Sequence, residues 1–250
     1  MENEVLLSTK ELSKSFGSLM AAHEISFTLY SGEKRAIIGP NGAGKTTFFN
    51  LLSGRLTPDK GKIFFKGNEI TRHSIFKRSK EGIATSFQIT NIFPSMSAFE
   101  NIRIAVQSRN RFHNPFIRME RLSDVNRKAM EIIHLIALEH ESKALAFNLS
   151  HGDQRKLEVG IALATDPILL LLDEPTAGMS VEETNETIAL IKKIAETKNL
   201  TIIVVEHDMK VVMEVADVIS VFHHGEIIAE GPPDKIRMNE KVQDVYLKGV

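Results

Sequence analysis

The sequence has no cysteine. That excludes disulfides and cysteine-based metal sites, and it is compatible with the cytosol. Charge of neither sign is in excess: 31 Lys and Arg stand against 32 Asp and Glu, a net charge of -1 with a pI of about 6.8. The balance offers no global attraction for nucleic acid or acidic substrates. Long apolar runs are also missing. Ile168-Leu-Leu-Leu-Leu172 is among the longest, against the roughly 20 residues a bilayer-spanning helix needs. The start, Met1-Glu-Asn-Glu-Val5, has no basic opening and no apolar signal core, so no export signal is expected there. Any membrane-spanning part is expected on another chain. There is no internal repeat and no low-complexity segment. What remains is 250 residues, 42% hydrophobic and 25% charged. That suits one domain with an insertion, or two small ones, around a true core.

One run of residues stands out. Gly39-Pro40-Asn41-Gly42-Ala43-Gly44-Lys45-Thr46 fills every fixed position of G-x-x-x-x-G-K-[ST], the phosphate-cradling loop. Glycines let successive backbone N–H groups turn inward onto phosphate oxygens. Lys45 supplies a mobile cation for β- and γ-phosphates, and the Thr46 hydroxyl suits Mg²⁺. Arg35-Ala-Ile-Ile38 before the loop reads as a buried strand, and Thr47-Phe-Phe-Asn-Leu-Leu52 after it as a helix. The positive end of that helix points at the same phosphates.

Around the loop the chain alternates. Val5-Leu-Leu7, Ile25–Leu29, Ala36–Ile38 and Ile63–Phe65 read as strands broken by turns at Ser31-Gly32 and Pro58-Asp59. From about 90 to 165 the pattern becomes helical. Ala129, Ile132, Ile133, Ile136 and Ala137 make one stripe, with Ser123 or Asp124 as the expected cap. Ile168–Leu172 and Ile202–Val205 read as strands. Ile188, Ile191, Ile194 and Ala195 mark a helix opened by the capping box Ser180-x-x-Glu183. Val211, Val212, Val215 and Ala216 mark another, and a hairpin turns at His224-Gly225. Strands alternating with helices predict a largely parallel sheet covered on both faces.

Further motifs follow in order. Leu169–Leu172 runs into Asp173-Glu174, two carboxylates at a strand's carboxyl end, where α/β sheets bind ligands. There Asp173 can hold Mg²⁺ through water, and Glu174 can face an attacking water. Leu149-Ser-His-Gly-Asp-Gln154 opens another helix. Ser150-x-x-Asp153 is itself a capping box, and a helix N-terminus is also an anion site. In this combination the chain resembles the ATP-binding cassette (ABC) ATPases over nearly its whole length. Their signature reads L-S-G-G-Q-Q where this chain has Leu149–Gln154; His151 and Asp153 depart from it, while Ser150 and Gly152 are kept. Gln88 matches the family's Q-loop, Thr176–Ser180 its D-loop and His207 its switch histidine. Phe16, in Lys14-Ser-Phe-Gly17, stands where the family places an aromatic against adenine.

The resemblance implies an α/β fold: a P-loop core over residues 1–250, with an N-terminal antiparallel β portion and a helical subdomain inserted at 90–165. It implies ATP and Mg²⁺ as ligands. Gly39 to Thr47, including Pro40, Asn41, Gly42, Ala43 and Gly44, would hold phosphates, with Phe16 on the base. Thr46, Gln88 and Asp173 would organise the metal, and Glu174, His207 and Gln88 the hydrolytic water and γ-phosphate. Ser150 and Gly152 would serve the site of a second ATP-binding subunit packed head to tail. It further implies two hydrophobic permease subunits, an indirect link to a solute-binding protein, and a peripheral place on the cytoplasmic face of the membrane, without nucleic acid. Within the family the chain looks most like the branched-chain amino acid importer ATPases, on Asn91–Met96, Glu100-Asn101, Glu206-His-Asp-Met209 and Val242-x-x-x-Tyr246-Leu247. The lipopolysaccharide-export ATPases share much of that ending. A soluble ABC ATPase or a small P-loop kinase are the other readings, the latter having no need of residues 149–154. Finally, Arg103, Arg109, Arg111, Arg118, Arg121, Arg127 and Lys128 face only Glu120 and Asp124 between 101 and 128. This is a basic face either solvated or, by the resemblance, near the permeases.

Overall fold

The computed structural model describes residues 4–86, 92–109 and 119–248, the side chains of 119–122 and 246–248 excepted. In chain order the elements are β1 Val5–Phe16, β2 Leu19–Tyr30, β3 Lys34–Ile38, α1 Lys45–Ser53, β4 Lys60–Phe65, β5 Asn68–Glu69, α2 Ile75–Glu81 and β6 Ile83–Thr85. Then come α3 Ala98–Arg109, α4 Met119–Leu135, a 3₁₀ turn at Ala146–Asn148, α5 His151–Ala164, β7 Leu169–Asp173 and α6 Val181–Lys198. The chain continues with β8 Thr201–Val205, α7 Met209–Val215, β9 Val218–His223, β10 Glu226–Gly231, α8 Pro233–Arg237 and α9 Glu240–Lys248.

Two sheets result. The first is antiparallel, in the order β2-β1-β4-β5. The second runs β10-β9-β3-β8-β7-β6, parallel throughout except for the β9–β10 hairpin. Its central strands β7 and β8 are buried along their whole length, as a covered parallel sheet requires. Strand alternation splits the sheet's residues into two cores. Ala36, Ile38, Leu170, Leu172, Ile202 and Val204 pack with the helical side, including α4, α5 and α6. Ile37, Leu169, Leu171, Ile203 and Val205 pack on α1 and the antiparallel sheet. The second parity matters for the site. Asp173 continues the series Leu169, Leu171 and is therefore directed to the α1 side.

The capping box forms as expected: Ser180 accepts from the Glu183 amide, and Glu183 from the Ser180 amide. The helical stripe forms through Ala129, Ile132 and Ile133, with Ile136 buried just past the helix end, but Ala137 is exposed in a left-handed conformation, φ 55°, and the expected cap does not form. α4 begins at Met119, so Ser123 and Asp124 lie inside the helix. Met119-Glu-Arg-Leu122 are strong helix formers and carry the helix past the polar pair. Asp124 instead pairs with Arg127 at 3.3 Å.

Candidate functional site

The loop leaves β3 at Gly39 and enters α1 at Lys45. Gly39 and Gly44 have φ of 151° and 99°, values that side-chain-bearing residues rarely adopt. A Cβ at Gly39 would collide with the Phe222 carbonyl, and one at Gly44 with that of Ala21. The loop is thus pressed between β9 and β2. The β9–β10 turn closes the contact, since the Gly225 amide donates to the Ala43 carbonyl at 2.9 Å and the His23 amide to the Gly225 carbonyl at 2.8 Å.

Lys45 is buried and folds back over the loop, donating to the carbonyls of Gly39 at 2.7 Å and Pro40 at 3.0 Å. Burial lowers its pKa, and Glu174 and Asp173 offset part of that. Gly42, Asn41 and Thr46 are exposed and Thr47 is half-buried, so the loop's outer rim faces solvent.

Asp173 is buried, and its Oδ1 has no hydrogen-bond partner among the described residues. Burial first, then the charge of Glu174, pushes its pKa up to about 6. A buried, unpaired carboxylate oxygen beside a phosphate loop is the donor a hard divalent cation takes. Glu174 follows in a left-handed conformation, φ 48°, its amide donating to the Val205 carbonyl at 2.9 Å. That turn brings its carboxylate to 3.5 Å from His207 Nε2. Asp173, Glu174 and His207 therefore converge at the carboxyl ends of neighbouring β7 and β8.

Glu206 is a site residue that motif reading passed over. It is 1% exposed. Its Oε1 accepts from the Thr176 amide and hydroxyl, at 3.1 and 2.6 Å, and its Oε2 from the His207 amide at 3.1 Å. One carboxylate therefore ties the segment after Glu174 to the backbone of His207. The signal was available: an acidic residue directly after the all-apolar run Ile202–Val205 must be paired if buried.

Phe16 lies at the end of β1 and is 48% exposed, a surface platform and not part of the core. The Lys14 ammonium lies 5.8 Å from its centroid. Ser150 caps α5, accepting from the Asp153 amide at 3.1 Å and donating to Asp153 Oδ2 at 2.9 Å. Gly152 abuts Glu183 at the start of α6. The amide and hydroxyl of Ser180, then the Gly152 amide and His151, hold the Glu183 carboxyl below its usual range. Ser150 and Gly152 thus group with the residues after Glu174; among the described residues no hydrogen bond joins them to the phosphate loop. Gln88 and Asn91 lie outside the described residues. The basic face is partly spent internally: Arg109 bonds the Thr165 and Asp166 carbonyls, and Arg127 bonds Asp124 and Glu131. Arg111 and Arg118, and the Arg121 side chain, lie outside the described residues.

The family model for ABC transporters matches residues 22–177, which contains the phosphate loop, Asp173 and Glu174. The chain belongs to the ABC transporter ATPase family. A second model, for the branched-chain amino acid ATP-binding cassette transporter, matches residues 226–247 of this ABC ATPase. It is 35% identical over 98% of both chains to the high-affinity branched-chain amino acid transport ATP-binding protein LivG of Escherichia coli. It is also 35% identical to BraF of Pseudomonas aeruginosa, over 97% of both chains. Two crystal structures of ABC transporter cassettes, one nucleotide-free and one in an ADP conformation, each superpose with a TM-score of 0.83. Each is 27% identical, covering 97% of this chain and 98% of the other. Among the described residues of the ABC ATPase no helix is long and apolar enough to cross a membrane.

Proposed function

We propose that this ABC ATPase is the motor subunit of an importer of branched-chain amino acids or similar small solutes, docked on two membrane permeases. The substrate class rests on relatives that carry that name over 97–98% of both chains. One observation carries the mechanism. The chain holds a phosphate loop with three converging groups, and separately a capped helix start at Ser150 that no hydrogen bond joins to that loop. A head-to-tail pair makes sense of both: each copy supplies the loop to one ATP and Ser150 and Gly152 to the other.

Phosphoryl transfer to water demands positioning and charge neutralisation more than covalent work. Lys45 and the amides of Gly39–Thr47 hold the phosphates, and Phe16 stacks on the base. The chemistry Mg²⁺ would supply there, when bound, is neutralisation of phosphate charge. Thr46, Gln88 and Asp173 would hold it, and the unpartnered Asp173 Oδ1 fits that task. Glu174 orients and polarises the attacking water, and His207, 3.5 Å from it, supports the γ-phosphate. Binding energy that differs between two transporter shapes then couples hydrolysis to transport. The permease contact falls around Gln88–Asn101. Support comes from Phe93, 52% exposed, and from neighbouring Phe147, 59% exposed, whose amide donates to the Pro94 carbonyl.

Reconstitution in lipid vesicles with the neighbouring permeases and a solute-binding protein tests this reading. ATPase activity should rise with the permeases, and again with the binding protein loaded with a branched-chain amino acid. Activity indifferent to both would refute it.

A further inference from the structure

Two half-sites stand apart on this chain: Glu174 with His207 beside the phosphate loop, and Ser150 with Gly152 at the start of α5. A continuous run of contacts joins them. At the α5 end, the Glu183 carboxylate sits at the Gly152 amide, and a Cβ on Gly152 would come within 2.9 Å of its Oε1. Glu183 Oε2 accepts from the Ser180 amide at 2.9 Å. Ser180 closes the segment Thr176–Ser180. That segment is folded by the Ala177 amide on the Glu174 carbonyl and the Met179 amide on the Thr176 carbonyl, both at 3.2 Å. At its other end Thr176 is buried and gives amide and hydroxyl to Glu206 Oε1, while Glu206 Oε2 takes the His207 amide.

Glu206 is chemically particular in this run. Three donors from two segments meet one side chain, and an acceptor-only group with two oxygens satisfies them all. A glutamine would turn an N–H₂ towards one of them. The bonds are charge-assisted and buried, so they hold geometry more firmly than neutral ones. The His207 ring, by contrast, is held by little: the side chain is 54% exposed and its ion-pair contact is Glu174 at 3.5 Å. Its position therefore follows its backbone, which Glu206 grips.

We infer that Glu206 is a positioning residue that makes hydrolysis at one site depend on ATP at the other. This rests on the shared-site reading; what it adds is the side chain that carries the signal. A γ-phosphate arriving at Gly152 meets the Glu183 carboxylate already there, and like charges in contact repel. Glu183 must yield, and the Ser180 amide bonded to it shifts as well. The Thr176–Ser180 segment takes up that shift, and Glu206 passes it to the backbone of His207. Coupling then runs through a contiguous chain of bonded groups.

The test is steady-state hydrolysis by the full-length chain with MgATP. The wild type should be cooperative, with a Hill coefficient approaching about 2 for two linked sites. Glu206→Gln should lower kcat about tenfold, leave half-saturating ATP within about twofold, and bring the Hill coefficient to about 1. Thr176→Val removes the hydroxyl donor but keeps the amide, and should move the same quantities in the same direction. Thr176→Ser restores the donor and should restore cooperativity. Glu206→Gln and Thr176→Val together should cost no more than the larger single change. The two Thr176 variants keep the proposal testable if Glu206→Gln folds poorly. A purely structural tie would lower the melting temperature without touching the Hill coefficient. Cooperativity that survives Glu206→Gln and Thr176→Val, or is lost equally in Thr176→Ser, overturns the inference and leaves the shared site standing. So does a non-cooperative wild type whose Glu174→Gln form still pairs on MgATP. A non-cooperative wild type whose Glu174→Gln form stays monomeric with ATP bound refutes the shared-site reading, and the inference with it.

Discussion

Replacing Asp173 by Asn should stabilise the nucleotide-free protein, and only towards neutral and alkaline pH. Asp173 is 7% exposed and sits beside Glu174, with its pKa raised from 3.8 to about 6. Between those values the folded chain keeps a proton that the unfolded chain has released. Stability therefore falls as pH rises through that window, and the full penalty is present above about 6. At about 1.4 kcal/mol per unit, the shift is worth about 3 kcal/mol. Lys45 returns part of it, because Asp173 helps to keep its buried ammonium charged. A net gain of about 2 kcal/mol at pH 8 is expected for Asp173→Asn, a rise in melting temperature of about 4–8 °C for a chain of this size. Near pH 4 the gain should vanish, since Asp173 is then neutral in the folded state. Differential scanning calorimetry at pH 4, 6 and 8, with EDTA and without nucleotide, measures this. A gain equal at pH 4 and pH 8, or none at pH 8, would show that burial of the ionised carboxylate is not what strains the site. The same variant should lose Mg²⁺-dependent hydrolysis, so stability and activity move in opposite directions, as expected of a site built at the expense of fold stability.

Glu174→Gln keeps the shape but removes the negative charge that polarises water; ATP should still bind, hydrolysis should nearly stop, and size-exclusion chromatography with MgATP should show a stable pair. Strictly monomeric elution with ATP bound would contradict the shared-site arrangement. Glu206→Gln turns an amide N–H₂ towards a donor that now meets a carboxylate. A loss of about 1–3 kcal/mol in urea unfolding and slower turnover with ATP affinity retained are expected, whereas unchanged turnover would reduce Glu206 to a purely structural tie. Ser150→Ala and Lys45→Ala should each be nearly inactive alone. Mixed, they leave one intact composite site per mixed pair, so steady-state phosphate release should partly recover; none at any ratio, with mixed pairs shown to form, argues against sharing. Phe16→Ala should lower affinity for ATP and GTP alike in fluorescence titrations, because stacking on an exposed ring reads no base edge.

The parallel sheet was readable because its strands are short, wholly apolar runs, as in Leu169–Leu172 and Ile202–Val205, and because Ser180-x-x-Glu183 announces its helix. The loop and both carboxylates were readable because phosphate chemistry fixes their spacing. Three features resisted. α2, Ile75–Glu81, holds a fully buried Arg78 that donates to the Leu51, Leu52 and Ile70 carbonyls; no periodicity rule expects a guanidinium to sit inside. The start of α4 was masked by polar residues that look like caps yet lie mid-helix. Glu206 looked like a family spelling, because its importance comes from a loop thirty residues earlier in sequence, brought close only by β7–β8 pairing.

The strand order has a consequence for how the protein is made. β3, which ends in the phosphate loop, lies between β8 and β9, and the loop itself rests on Gly225. Every residue of the loop leaves the ribosome early, but the strands that flank β3 are synthesised more than 150 residues later. Such non-local pairing is slow and must wait for the last-made segment. A nascent chain ending at residue 177 contains the loop, Asp173 and Glu174, yet β3 would have no neighbour on either side. Tight nucleotide binding thus becomes a checkpoint on completed synthesis, and a truncated product cannot take the place of a whole motor.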